Sequence, residues 1–117
     1  MKKICPNKIN EIANSERLIV DVRENFEFQN YRIDVQNMIN IPLSEIEQKI
    51  NEFPNDREVI LVCNNGIRSS MAVKFLEQRG FNNLRFIEGG IVKWIQNNLK
   101  NQYLPDWYFN VKLVNLF

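Results

Sequence analysis

The sequence predicts an α/β domain with a mostly parallel central sheet flanked by helices on both faces. Short apolar runs recur at "RLIVDV" (17–22), "INIP" (39–42), "VILV" (59–62) and "LRFI" (84–87). Helical periodicities fall between and after them. "VILV" is apolar at every position, as a parallel strand covered on both faces should be.

Each element has a local reason. Pro6 suits a first helical position, and Ile9, Ile12 and Ala13 then share one face. "RLIVDV" reads as a buried strand, and "ENFEFQNY" (24–31) as a short helix that buries Phe28. "INIP" stops at Pro42, which has no N–H to give a ladder. Ser44 with Glu47 forms a capping box, predicting a helix with Ile46, Ile50 and Phe53 on its apolar side. "PND" (54–56) is a turn. After "VILV", Met71, Ala72, Phe75 and Leu76 follow helical spacing, and Gly80 stands at the C′ stop. "EGG" turns into a last helix with Ile91, Trp94, Ile95 and Leu99 on one side. Residues 1–100 thus form one domain. Residues 101–117, "NQYLPDWYFNVKLVNLF", are an aromatic-rich extension with more apolar area than a soluble monomer leaves in water. The extension is expected to pack on its own domain or on a partner.

The totals remove many functions. A net charge of +1 gives no bulk attraction to nucleic acid or to an anionic membrane. No apolar run approaches a membrane span, and the basic start is not followed by the apolar core of a signal peptide. Cys5 and Cys63 make no disulfide framework, so the expectation is a cytoplasmic protein with free thiols. The absence of histidine excludes Ser-His-Asp and Cys-His catalysis and histidine-ligated zinc. Two cysteines are too few for an all-cysteine zinc site or iron–sulfur cluster, and no metal or cofactor is expected. Chemistry falls to carboxylates, lysines, arginines or a cysteine.

"LVCNNGIRSS" (61–70) concentrates that chemistry. Cys63 falls after a central strand and before a helix, the edge of an α/β sheet where ligands bind. Such a turn aims backbone N–H groups and a helix dipole at one point, which stabilises an anion and suits a nucleophilic thiolate. Gly66 allows close approach and a conformation closed to other residues. Arg68 donates from the far end of the loop, and Ser69 or Ser70 can cap the helix. The plain alternative is a buried, inert cysteine ending a strand. Cysteine-dependent phosphatases carry five residues between cysteine and arginine. Here there are four, Asn64 to Ile67, a smaller cradle that suits a terminal sulfur better than a phosphate.

From about Ile4 to about Trp94 the chain resembles the rhodanese family of sulfurtransferases. "LIVDVRENFEF" is similar to its D-V-R-E-x-x-E-F strand segment, and "INIPLSEIEQKI" to its I-N-I-P-L box. "CNNGIRSS" resembles its C-x-x-G-x-R-S loop, and "GFNNLRFIEGGIVKW" its G-F-x-x-V-x-x-L-x-G-G-x-x-x-W ending. The resemblance implies a single rhodanese-like domain in which Cys63 carries sulfur as a persulfide. The loop Asn64, Asn65, Gly66, Ile67, Arg68 and Ser69 would hold it, with Arg68 bracing the loop and the anionic donor. Asp21 and Arg23 would be structural support, an ion pair and cap between strand ends. Glu88, Gly89 and Gly90 read as architecture. The implied partners are a small sulfur donor or thiol, or a sulfur-carrier protein, to a monomer or homodimer. A non-catalytic rhodanese-like binding module is the alternative, and a phosphatase or arsenate reductase a more distant one. Two features depart from the family. "NYRIDVQNM" replaces its G-H-I-x-G-A stretch, being slightly longer and lacking both glycine and histidine, and the aromatic extension follows Trp94. Cys5 stands where the family often has serine or threonine before proline, and reads as a cap or packed residue rather than a resolving thiol.

Overall fold

The computed structural model describes residues 3–5, 16–33, 37–99 and 111–113. Strand β1 is Lys3–Ile4 and β2 is Leu18–Asp21, buried at every position. Helix α1, Asn25–Asn30, runs directly into β3, Tyr31–Ile33. Strand β4 is Met38–Asn40, and β5, Val59–Val62, is again buried throughout. Helix α2 is Ile67–Gln78, β6 is Leu84–Ile87, α3 is Gly90–Leu99 and β7 is Val111–Leu113.

Five strands form one sheet in the order β1-β6-β5-β2-β4. Every pairing in it is parallel, with Val20 beside Leu61 and Leu61 beside Phe86. Alternate residues therefore feed two cores. Leu18, Val20, Val59, Leu61, Leu84 and Phe86 pack with Ala72, Val73 and Leu76 of α2 on one face. Ile19, Ile60, Val62 and Ile87 pack with Ile4, Ile33 and Ile91 on the other. Each such side chain contributes about 1.5–3 kcal/mol relative to leaving it in water. That two-sided burial is why β2 and β5 show no polar alternation, and it fixes their carboxyl ends side by side. No described helix is long and apolar enough to cross a membrane.

The helix expected from Ser44 does not form. Leu43–Glu45 and Ile50–Glu52 are short 3-10 turns joined by a turn at 46–49. The Ser44 hydroxyl donates to the Glu24 carboxylate at 2.9 Å and so is not spent on a cap. The apolar side of the segment is nonetheless used, with Ile46 and Phe53 buried and Ile50 partly so. Phe28 is half-buried rather than buried, under the Arg32 guanidinium at 4.7 Å from its ring centre. Cys5 is exposed, not packed. Neither Ser69 nor Ser70 caps α2. Gly66 holds the N-cap position at φ 90°, and the Asn65 side-chain oxygen accepts from Ile67 N–H at 3.1 Å. The Ser69 and Ser70 hydroxyls instead donate to the carbonyls of Gly66 and Ile67. Gly80 does stop α2, in the left-handed region at φ 94°.

From the extension, β7 pairs antiparallel with β3 as a separate two-stranded sheet, with Leu113 opposite Tyr31. The helix expected at Pro6–Ala13, the rest of residues 101–117 and the side chains of Trp94 and Leu99 lie outside the described residues.

Candidate functional site

The carboxyl end of β5 delivers Cys63, whose surface is 0% exposed. Three bonds then double the chain back into α2. The amide of Gly66 donates to Cys63 Sγ at 3.1 Å, and the amide of Ser69 at 3.4 Å. The Ser69 hydroxyl also lies 3.4 Å from the sulfur. These are amides of the first turn of a helix, so the positive end of its dipole faces the sulfur.

Glycines make this turn possible. Gly66 sits at φ 90°, and a β-carbon there would lie 3.1 Å from Gly89 N. Gly90 sits at φ 66°, and a β-carbon there would overlap the carbonyl oxygens of Cys63 and Asn64. The close approach has a purpose. The first amides of α3 donate to those same carbonyls, Ile91 N–H to Cys63 O at 2.9 Å and Val92 N–H to Asn64 O at 3.0 Å. One helix end therefore serves the sulfur and another holds the backbone that carries it. Gly90 thus lets the start of α3 come close against the loop.

Behind the loop runs a polar network. Arg23 donates to Asp21 through Nε at 3.0 Å and Nη2 at 2.7 Å, and both side chains are wholly buried. A buried bidentate pair leaves neither charge uncompensated. Arg23 Nη2 also donates to Tyr31 O at 2.6 Å, and its guanidinium lies 4.6 Å from the Tyr31 ring centre. Arg23 Nη1 reaches Asn64 Oδ1 at 3.1 Å, and the Tyr31 hydroxyl donates to the same oxygen. Asn64 Nδ2 donates to Glu27 Oε2 at 3.2 Å. Arg68 closes the series, donating to Glu27 at 2.6 and 3.0 Å. That hydrogen bond holds the Glu27 carboxyl below the usual range, against an opposing effect of burial. The same bond raises the Arg68 guanidinium, again against an opposing effect of burial.

The expected loop residues thus divide. Gly66 and Ser69 face the sulfur. Asn65 holds its side-chain oxygen 3.9 Å from Sγ while turning the helix start. The Asn64 side chain faces the support network instead of the sulfur. Arg68 is committed to Glu27, and Ile67 is 62% exposed. Sequence reasoning missed Glu24, Glu27 and Tyr31. Glu24 and Glu27 had a local signal, because they form a reciprocal capping box at the start of α1. Tyr31 had none, since its partner Asn64 is remote in sequence.

Known proteins share this arrangement of sequence. The Allochromatium vinosum protein named sulfurtransferase is 30% identical over 100 residues, covering 80% of this chain and 92% of that one. Bacillus subtilis YqhL is 38% identical over 76 residues, covering 65% of this chain and 59% of that protein. The putative sulfur carrier protein YrkF of the same organism is 32% identical over 65% of this chain, which spans 40% of it. Among solved structures, the rhodanese-related protein of Thermoplasma volcanium superposes with a TM-score of 0.75 at 33% identity, covering 97% of this chain and 99% of that one. The rhodanese-like domain protein of Staphylococcus aureus gives 0.72 at 30% identity, covering 80% and 91%. The rhodanese-like domain family matches residues 6–97. That span takes in β2 through β6, the cysteine loop and the whole polar network behind it, and the chain belongs to the rhodanese-like domain family.

Proposed function

We propose that this chain is a sulfurtransferase that carries sulfane sulfur as a persulfide on Cys63. The observation that carries the reading is the convergence of the Gly66 and Ser69 amides on Sγ at the start of α2. Relatives named sulfurtransferase support it. The reaction is a double displacement, which splits one transfer into two easier steps. The Cys63 thiolate attacks the outer sulfur of thiosulfate or of a persulfide. The donor's S–S bond breaks, and its electron pair leaves with sulfite or a thiolate. An acceptor thiolate or cyanide then attacks the outer sulfur, and the electron pair of the breaking bond returns to Cys63. The loop amides oppose the negative charge at each stage, so no general base is required. The Ser69 hydroxyl can swing from Gly66 O to the sulfur, both being within reach. Arg68 acts as a brace through Glu27.

The relatives named as a putative sulfur carrier and a probable adenylyltransferase/sulfurtransferase support a thiol or a sulfur-carrier protein as the partner class. Two free cysteines suit the reducing cytoplasm.

One observation favours a second reading, a binding module without turnover: Cys63 has 0% exposed surface, as an inert core cysteine has. Mass spectrometry after thiosulfate or polysulfide treatment separates the two. Sulfur transfer requires an adduct of one sulfur mass on the Cys5→Ser protein and none on the Cys5→Ser/Cys63→Ala double variant. A wild-type protein that gains no sulfur from either reagent supports the binding module.

A further inference from the structure

We propose that Tyr31 is a positioning residue for the Cys63 loop, and that strand β7, paired on the same residue, holds it in place. The inference rests on the sulfurtransferase reading for its importance, but not for its test.

Tyr31 opens "YRIDVQ", the stretch with neither glycine nor histidine. One of its contacts reaches the loop directly and two reach it through Arg23, which also donates to Asn64 Oδ1. The hydroxyl donates to Asn64 Oδ1, the carbonyl accepts from Arg23 Nη2 at 2.6 Å, and the ring lies under the Arg23 guanidinium at 4.6 Å. Asn64 is the residue after the sulfur-bearing cysteine, and its own carbonyl is held by Val92 N–H at 3.0 Å. The hydroxyl of Tyr31 and the amide of Val92 therefore hold one residue twice, by its side chain and by its backbone carbonyl. Asn64 is bonded directly to Cys63, so holding it steadies the backbone from which Sγ meets the Gly66 and Ser69 amides.

Tyr31 belongs to β3, which is absent from the five-stranded sheet. Its strand partner is β7, in a register that sets Leu113 opposite Tyr31, Lys112 opposite Arg32 and Val111 opposite Ile33. A two-stranded ribbon is only marginally stable, so each strand depends on the other. Strand β7 thus bears on the residue that tethers the loop. Arg32 adds a second anchor to β3 by donating to Phe28 O at 3.1 Å.

The test uses amide hydrogen exchange at Gly66 and Ser69, followed by NMR in the full chain without sulfur donor. Tyr31→Phe keeps the ring and carbonyl that Arg23 uses and removes only the hydroxyl. Exchange at both amides should rise about fivefold, what one ordinary hydrogen bond is worth. In steady-state assays the donor KM should stay constant while kcat falls by a similar factor. A chain ended after Asn110 should show the same rise, and joining the two changes should add nothing further. An unchanged exchange rate in Tyr31→Phe overturns the role of Tyr31. An unchanged rate in the shortened chain, or a product of the two effects in the combined variant, overturns the role of β7. A wild-type protein that accepts no sulfur would end the proposed function, while the exchange rates would still decide this inference.

Discussion

Arg68 and Glu27 form a two-toothed ion pair at 2.6 and 3.0 Å that joins the first turn of α2 to α1. The pair ties the end of the cysteine loop to a helix formed from residues some forty positions earlier.

Its pH dependence has a definite sign. Arg68 lowers the folded-state pKa of Glu27 below its unfolded value. The resulting stabilisation is complete above about 4.3, the value for an unperturbed glutamate, and is lost as pH falls through the lower folded value. Glu27→Gln should cost about 1 kcal/mol at neutral pH and almost nothing at strongly acid pH. Urea unfolding of both proteins at several pH values measures the difference. A constant gap down to the most acid condition would mean that the pair contributes no linked protonation.

Cys63 should carry all the activity. Cys63→Ser should abolish thiosulfate sulfurtransfer without altering the melting curve, whereas Cys5→Ser, at an exposed position, should keep the wild-type rate. The four-residue spacing from Cys63 to Arg68 should also leave para-nitrophenyl phosphate unhydrolysed. Phosphate release that vanishes in Cys63→Ser would replace sulfur transfer with phosphoryl transfer as the reaction.

Removing one partner of the buried pair should be far more costly than removing an exposed charge. Asp21→Asn leaves the wholly buried Arg23 without a counter-charge. The expected loss is about 3–5 kcal/mol. Lys3→Ala, which breaks an ion pair with both side chains 56% exposed, should cost under about 1 kcal/mol. Equal losses in chemical denaturation would show that burial does not govern these two pairs.

Two glycines with positive φ should respond unequally to alanine. Gly80→Ala meets open space and pays only for its left-handed backbone, about 1–2 kcal/mol. Gly90→Ala adds an overlap with the carbonyls of Cys63 and Asn64, so it should cost more and also depress sulfur transfer. Melting temperatures and rates of the two variants, compared side by side, decide this.

What could be read in advance was whatever depends on near neighbours. The apolar runs of β2 and β5 report two-sided burial directly, and Cys63, Gly66 and Arg68 lie within one short loop. The misreadings of hydrogen-bonding side chains share a cause. Ser44 has the spacing of a cap, but its hydroxyl is taken by Glu24, twenty residues away. Ser69 lies where a cap could form, but Gly66 and Asn65 begin α2 earlier and Ser69 is left to face the sulfur. Asn64 sits in the loop, yet Arg23, Tyr31 and Glu27 draw its side chain the other way. In each case a polar group had two possible partners, and only the fold decides between a near one and a distant one.

The bonds from Ile91 and Val92 to the carbonyls of Cys63 and Asn64 also impose an order in time. Synthesis runs from the amino terminus, and the clamp lies well downstream of the thiol it steadies. A growing chain that ended before Gly89 would contain every residue of the loop and none of the amides that grip its backbone. The grip on the backbone that carries the thiol therefore comes only once synthesis has passed Val92.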